Sequence, residues 1–186
     1  MEEFDAFLRR VRDGVERGAL TQQEAAHYVG EHVARQLYCS SATLWTLAGP
    51  PGLRVLTRVG GFDATLRMPL AEPLQFTLSG PSAWHDALSN EGVFATTDTH
   101  AEPRLAGDHA ALAGLRRVRG LLQAAIGRGA APWGLVSCAQ YDAVRIWTRP
   151  EIVHLQHIAT ALSARRPRDR AVAGAREAPP VSRAST

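Results

Sequence analysis

The stretch from Pro132 to Leu162 constrains this chain more than any other. It opens Pro132-Trp133-Gly134-Leu135-Val136-Ser137-Cys138-Ala139-Gln140-Tyr141, after a turn-prone Gly-Ala-Ala-Pro. A short apolar run led by Trp, Leu and Val in that setting reads as a buried strand. After Asp142-Ala143-Val144 comes Arg145-Ile146-Trp147-Thr148-Arg149-Pro150-Glu151. Thr148 is placed to cap a helix, Pro150 suits its first turn, and Glu151 completes a capping box. Ile152, Leu155, Ile158, Ala159 and Leu162 then recur at helical spacing, which gives the helix one apolar face. A strand feeding such a helix needs a sheet for that face to lie on.

Two more helices are expected at the N-terminus. Residues 2–17 place Phe4, Leu8, Val11 and Val15 on one face, and Gly18 stops the run. Thr21 caps a second helix, Glu24 completes its capping box, and Ala26, Val29, Val33 and Leu37 form its buried stripe. Short helices are marginal alone in water, so the first must lie on its own domain or on a second copy. Ser41 to Ala48 and Leu53 to Val59 predict an antiparallel hairpin around Gly49-Pro50-Pro51-Gly52, with Gly60-Gly61 ending it. Thr65 to Leu70 suits a short strand, residues 71–81 read as loop, and Ser82 caps a short helix through Leu88. Val93 to Thr97 is a third strand, and His109 to Arg117 a short helix. Gly120 to Ile126 and Trp133 to Gln140 form a hairpin across a Gly-containing loop. The expected fold class is α+β: an antiparallel β-sheet with flanking N- and C-terminal helices. Such a sheet has one face covered by the terminal helices and another that can hold a ligand.

Composition narrows the function. With 186 residues, 45% apolar and 21% charged, the chain suits one soluble domain. No run approaches the roughly 18 apolar residues that span a bilayer. The acidic, amphipathic start is unlike a secretory signal, and two cysteines, Cys39 and Cys138, fit a reducing compartment, so a cytoplasmic location is expected. All 21 basic residues are arginine. From Arg165 onward six arginines face two acids, net +4; the preceding residues hold fifteen arginines and sixteen acids, net −1. The basic character lies in the Pro/Ala/Ser-rich tail, which is expected to be disordered. The rest carries no basic excess, which argues against nucleic acid as its partner. No phosphate loop, nucleophile elbow or His-Glu-x-x-His is present. His154 and His157 stand three apart on the last helix, but no further ligand sits at metal spacing nearby. Cys138 lies mid-strand, where a small buried hydrophobe is the simpler reading and a reactive thiol the other. Gln123 stands out among Leu122, Ala124 and Ala125, facing either a pocket or solvent.

The Trp-Gly-Leu-Val-x-Cys strand, the Arg145-Ile146-Trp147 turn and the capped helix resemble the C-terminal end of a GAF domain, especially the phytochrome-like subset. Gly92 to Arg104 resembles that family's middle strand, which ends in Asp98 and leads into a Pro103-Arg104 turn, and Leu37 to Val59 its first helix-to-hairpin passage. The resemblance covers residues 20–165 and implies a GAF-like, PAS-related sensory domain, with residues 1–19 as a preceding helix and 166–186 as a tail. It implies a lid over residues 98–119 and a ligand between sheet and lid, with Trp84, Asp98, Arg104, His109 and Gln123 as binding residues. His100 flanks the same lid. The lid has no cysteine, so no covalent bilin is expected, whereas a noncovalent small ligand is open. The resemblance further implies a homodimer through the flanking helices and, with no output segment apparent, signalling through a separate protein. Arg145 and Trp147 would hold the turn together. Two alternatives stand beside this noncatalytic sensor: a GAF-type redox enzyme using Cys138, and a ligand-free interaction or dimerisation scaffold.

Overall fold

The computed structural model describes residues 2–50, 52–106, 117–127 and 132–163. Helix α1 (Glu2–Glu16) is followed by α2 (Gln22–Gln36), which starts in the expected capping box: Thr21 accepts from the Glu24 amide, and the Glu24 carboxylate accepts from Thr21 N–H at 2.7 Å. Strands β1 (Ser41–Ala48), β2 (Leu53–Asp63), β3 (Met68–Pro69) and β4 (Gln75–Ser79) come next. Then follow α3 (Ala83–Glu91), β5 (Val93–Thr96), a single 3-10 turn (Pro103–Leu105), β6 (Val118–Ile126), β7 (Gly134–Tyr141) and α4 (Arg149–Ser163). The sheet runs β3-β2-β1-β7-β6-β5, with β4 also paired to β2, and every pairing is antiparallel. This is the α+β arrangement expected from the patterning.

The sheet separates two apolar layers, because alternate residues of each strand point to opposite faces. One layer joins Val29 and Val33 of α2 and its C-cap Leu37 to Ala42, Leu122, Val136 and Cys138 of the sheet and to Leu155 and Ile158 of α4. Phe4, Phe7, Leu8 and Val11 of α1 pack against its edge, and Phe7 stacks on His32 with ring centres 4.9 Å apart. The opposite layer joins Trp45, Leu121 and Leu135 to Phe76, Trp84, Leu88, Phe94 and Leu105. Central strand β7 is covered on both faces, which is why its sequence reads as a nearly unbroken apolar run.

Three expectations are corrected. Gly60 and Gly61 do not end β2; the strand runs through them to Asp63. They serve close approach instead. A Cβ on Gly61 would lie 2.4 Å from the Ala42 carbonyl oxygen, and one on Gly30 of α2 would lie 2.7 Å from the same atom and 2.9 Å from Phe62 N. These bare backbones let α2 lie directly on β1 and β2. Residues 71–81, read as loop, contain β4, whose Phe76 and Leu78 turn inward while Gln75, Thr77 and Ser79 face out. The strand expected over Thr65 to Leu70 shrinks to Met68–Pro69. The helix expected near residues 109–117, most of the hairpin loop and the C-terminal tail lie outside the described residues.

The α2 contact can be tested by sign. Helix propensity alone makes Gly30→Ala stabilising by about 1 kcal/mol, whereas the backbone atoms in its way make it destabilising by about 1–3 kcal/mol. Urea denaturation is expected to show net destabilisation. A more stable Gly30→Ala variant would mean that α2 does not sit this close to the sheet.

Candidate functional site

The face of the sheet opposite α2 and α4 holds a cavity of about 480 Å³. Its floor is built from inward positions of three neighbouring strands: Ser41, Thr43 and Trp45 of β1, Ser137, Ala139 and Tyr141 of β7, and Leu121 and Gln123 of β6. Leu56, Leu70, Leu74 and Phe76 form the apolar side contributed by the β2–β4 region, and Arg58, Asp63 and Arg117 stand around it. The strands place these side chains together by register: Gln123 is the cross-strand partner of Ser137, and Ser137 of Thr43.

Polar groups on the floor are held by specific bonds. The Trp84 indole donates from Nε1 to Gln123 Oε1 at 2.6 Å, and Gln123 Nε2 donates to Ser137 Oγ at 3.2 Å. Trp45 Nε1 donates to Thr43 Oγ1 at 2.8 Å. At one end Asp63 is nearly sequestered, 4% exposed. Its Oδ1 accepts from the Thr65 amide, the Thr65 hydroxyl and the Leu66 amide, at 2.8, 2.6 and 3.0 Å. Burial pushes the pKa of the neighbouring Tyr141 phenol above its ordinary value, and a hydrogen bond with Ser41 works against that. Arg58 donates through Nε and a terminal nitrogen to the Glu72 carbonyl, and its burial lowers its pKa. Arg117 pairs with Asp142 at 2.7 Å and lies over the Tyr141 ring, 5.1 Å from its centre.

The residues singled out from sequence fall in different places. Gln123 lies on the cavity floor, and Trp84 of α3 stands behind it as its hydrogen-bond donor. Asp98 and Arg104 are not in the cavity lining. Asp98 grips Arg119 through two bonds of 2.8 and 2.6 Å and accepts from the His100 amide, which holds its carboxyl down to about 2. Arg104 chelates Glu102, donates to the Ala95 carbonyl at 3.0 Å, and lies 4.5 Å over the Phe94 ring. His109 lies outside the described residues. The floor positions that sequence reasoning passed over, Thr43, Ser137 and Tyr141, look like ordinary strand residues; only cross-strand register assembles them.

Both thiols lie on the other side of the sheet. Cys39 and Cys138 are 4% and 0% exposed in the layer beneath α2 and α4. Burial, then the Cys39 contact, pushes the Cys138 thiol well above its ordinary pKa; the Cys138 contact lowers that of Cys39, which donates to the Ser41 carbonyl at 3.2 Å. Among the described residues no group of three or more His, Cys, Asp or Glu side chains could hold a metal ion, and no helix is long and apolar enough to cross a membrane.

The helix-flanked antiparallel sheet, with a cavity on the face away from its terminal helices, is a GAF-like fold. No family model and no curated protein matches the chain. Solved structures do. The phycocyanobilin-bound GAF domain of a cyanobacterial phytochrome aligns with a TM-score of 0.60 at 17% identity, over 85% of this chain and 90% of that one. The cyanobacteriochrome receptor PixJ aligns at 0.59 and 21% identity, over 76% and 92%. The blue-light-absorbing form of the Thermosynechococcus elongatus PixJ GAF domain aligns at 0.57 and 20%, over 76% and 82%. At these identities the likeness establishes the fold.

The Glu102–Arg104 pair makes a direct test of the turn beside β5. The Arg104 hydrogen bonds hold Glu102 down to about 2, against burial that raises it. A depressed carboxyl stabilises the fold above its unfolded value of roughly 4.3 and loses that contribution as pH falls through about 2. NMR titration of the Glu102 carboxyl is expected to give a midpoint near 2; a midpoint at the ordinary value would show that the pair does not persist in solution.

Proposed function

We propose that this chain is a noncatalytic, GAF-like sensory module. It binds a small molecule in the cavity between sheet and overlying segments and signals through a partner protein. The observation that carries the reading is the cavity itself: about 480 Å³, apolar walls, and a few convergent polar groups on a rigid floor. That size and chemistry fall within the range of small-molecule sites, which supports the reading. A protein of the same fold, the GAF domain of a cyanobacterial phytochrome, is described with phycocyanobilin bound.

Attachment would be noncovalent, because both cysteines lie in the layer on the other side of the sheet. The same burial weighs against a redox enzyme built on Cys138, whose thiolate is disfavoured and shielded from substrate. Gln123, with Trp84 behind it, would orient the ligand. In this reading residues 20–165 form the sensing domain, α1 and α2 mediate a homodimer, and the chain works in the cytoplasm.

Native mass spectrometry of protein purified from its own host, with an absorbance spectrum of the same sample, tests this. The expected result is a reproducible extra mass that is released on denaturation. Bare protein that stays bare when offered host metabolite extract would defeat the sensor reading and favour the scaffold.

A further inference from the structure

The cavity floor carries a row of three polar residues where an apolar sheet face would be simpler. Thr43, Ser137 and Gln123 stand abreast on β1, β7 and β6, paired in register and 8%, 5% and 6% exposed. Two tryptophans set the polarity of the row, because an indole N–H can only donate. Trp84 occupies Gln123 Oε1, so the carboxamide must turn its Nε2 toward Ser137, whose oxygen accepts. Trp45 occupies the oxygen of Thr43 in the same way. Each hydroxyl oxygen therefore accepts from within the protein. The O–H protons of Thr43 and Ser137 meet no acceptor among the described residues, and both side chains line the cavity. The row ends in donors.

Buried donors without acceptors are costly, and a bound group that supplies acceptors relieves that cost. We propose that the cavity selects a largely apolar molecule bearing an oxygen acceptor, a carbonyl or carboxylate, set over Thr43 and Ser137. This rests on the reading that the cavity binds a small molecule, and it adds which end of that molecule faces the floor. Trp45, Leu56 and Phe76 supply apolar contact for the rest of it.

Two probes of matched shape decide the question: 2-acetylnaphthalene, which carries a carbonyl, and 2-isopropenylnaphthalene, in which a methylene replaces the oxygen. Both are titrated into the full chain and followed by ligand-observed NMR. The expected result is about tenfold tighter binding of the ketone, the scale of one or two hydrogen bonds. That ratio should collapse in Thr43→Val/Ser137→Ala, or in Ser137→Ala alone should the double variant fold poorly. Equal affinities for the unaltered protein would overturn the acceptor inference and leave the cavity reading standing. A preference that survives the substitutions would overturn the assignment to this row. Binding of neither probe would overturn the cavity reading and the inference together.

Discussion

The side chain of Arg145 ties together the end of α2, β7 and α4. It donates to the Leu37 and Tyr38 carbonyls, at 2.6 and 2.8 Å, at the end of α2, where helix carbonyls lack partners of their own. It also donates to Gln140 of β7 and to Glu151 of α4, at 3.2 and 2.6 Å, while its guanidinium lies 4.2 Å over the Trp147 ring. Its amide donates to the Thr97 carbonyl just beyond β5. A Cβ on Gly120 would lie 2.8 Å from the Arg145 Cβ, so β6 comes close as well. A planar group with five fixed donors can satisfy so many acceptors together, which a lysine ammonium cannot. Burial raises the Glu151 carboxyl, but the Thr148 and Arg145 hydrogen bonds outweigh it and leave its pKa lowered.

With α2 and α4 clamped to one side, the two faces of the sheet are covered differently. The helix side is filled: Ala42, Leu122, Val136 and Cys138 are each fully buried beneath the helices. Among the described residues, α3 and the 3-10 turn lie over the other side, with β4 at the sheet edge, and a cavity remains there. Trp84 and Trp45 hold the ends of the polar row rather than closing over it. Asp98 and Arg104 are engaged by Arg119 and Glu102, which fixes the exit of β5 and the path of the chain beyond it.

Much of the fold was legible because its signals are local. The capping boxes at Thr21/Glu24 and Thr148/Glu151 and the apolar stripes of α1, α2 and α4 each lie within a few turns of chain. The glycine pair at 60 and 61 misleads for a physical reason: in sequence, glycine for a turn and glycine for close approach are the same letter, and only the nearness of Gly30 separates them. Strand β4 hides behind Pro73 because its alternation spans only five residues. The cavity was the least legible part. Gln123 could be singled out because a carboxamide is conspicuous in an apolar strand. Thr43 and Ser137 could not, since their meaning arises from register between strands almost a hundred residues apart.

The sheet has one filled face and one face that bears a cavity. The most direct measurement is brief labelling of a Ser137→Cys variant with methyl methanethiosulfonate under native conditions, read residue by residue by mass spectrometry. Cys39 and Cys138 serve as internal references on the filled face. The thiol introduced on the cavity floor is expected to be modified while the two native thiols stay protected. Equal protection of all three would contradict it, because the face assigned to a ligand would then be as closed as the core.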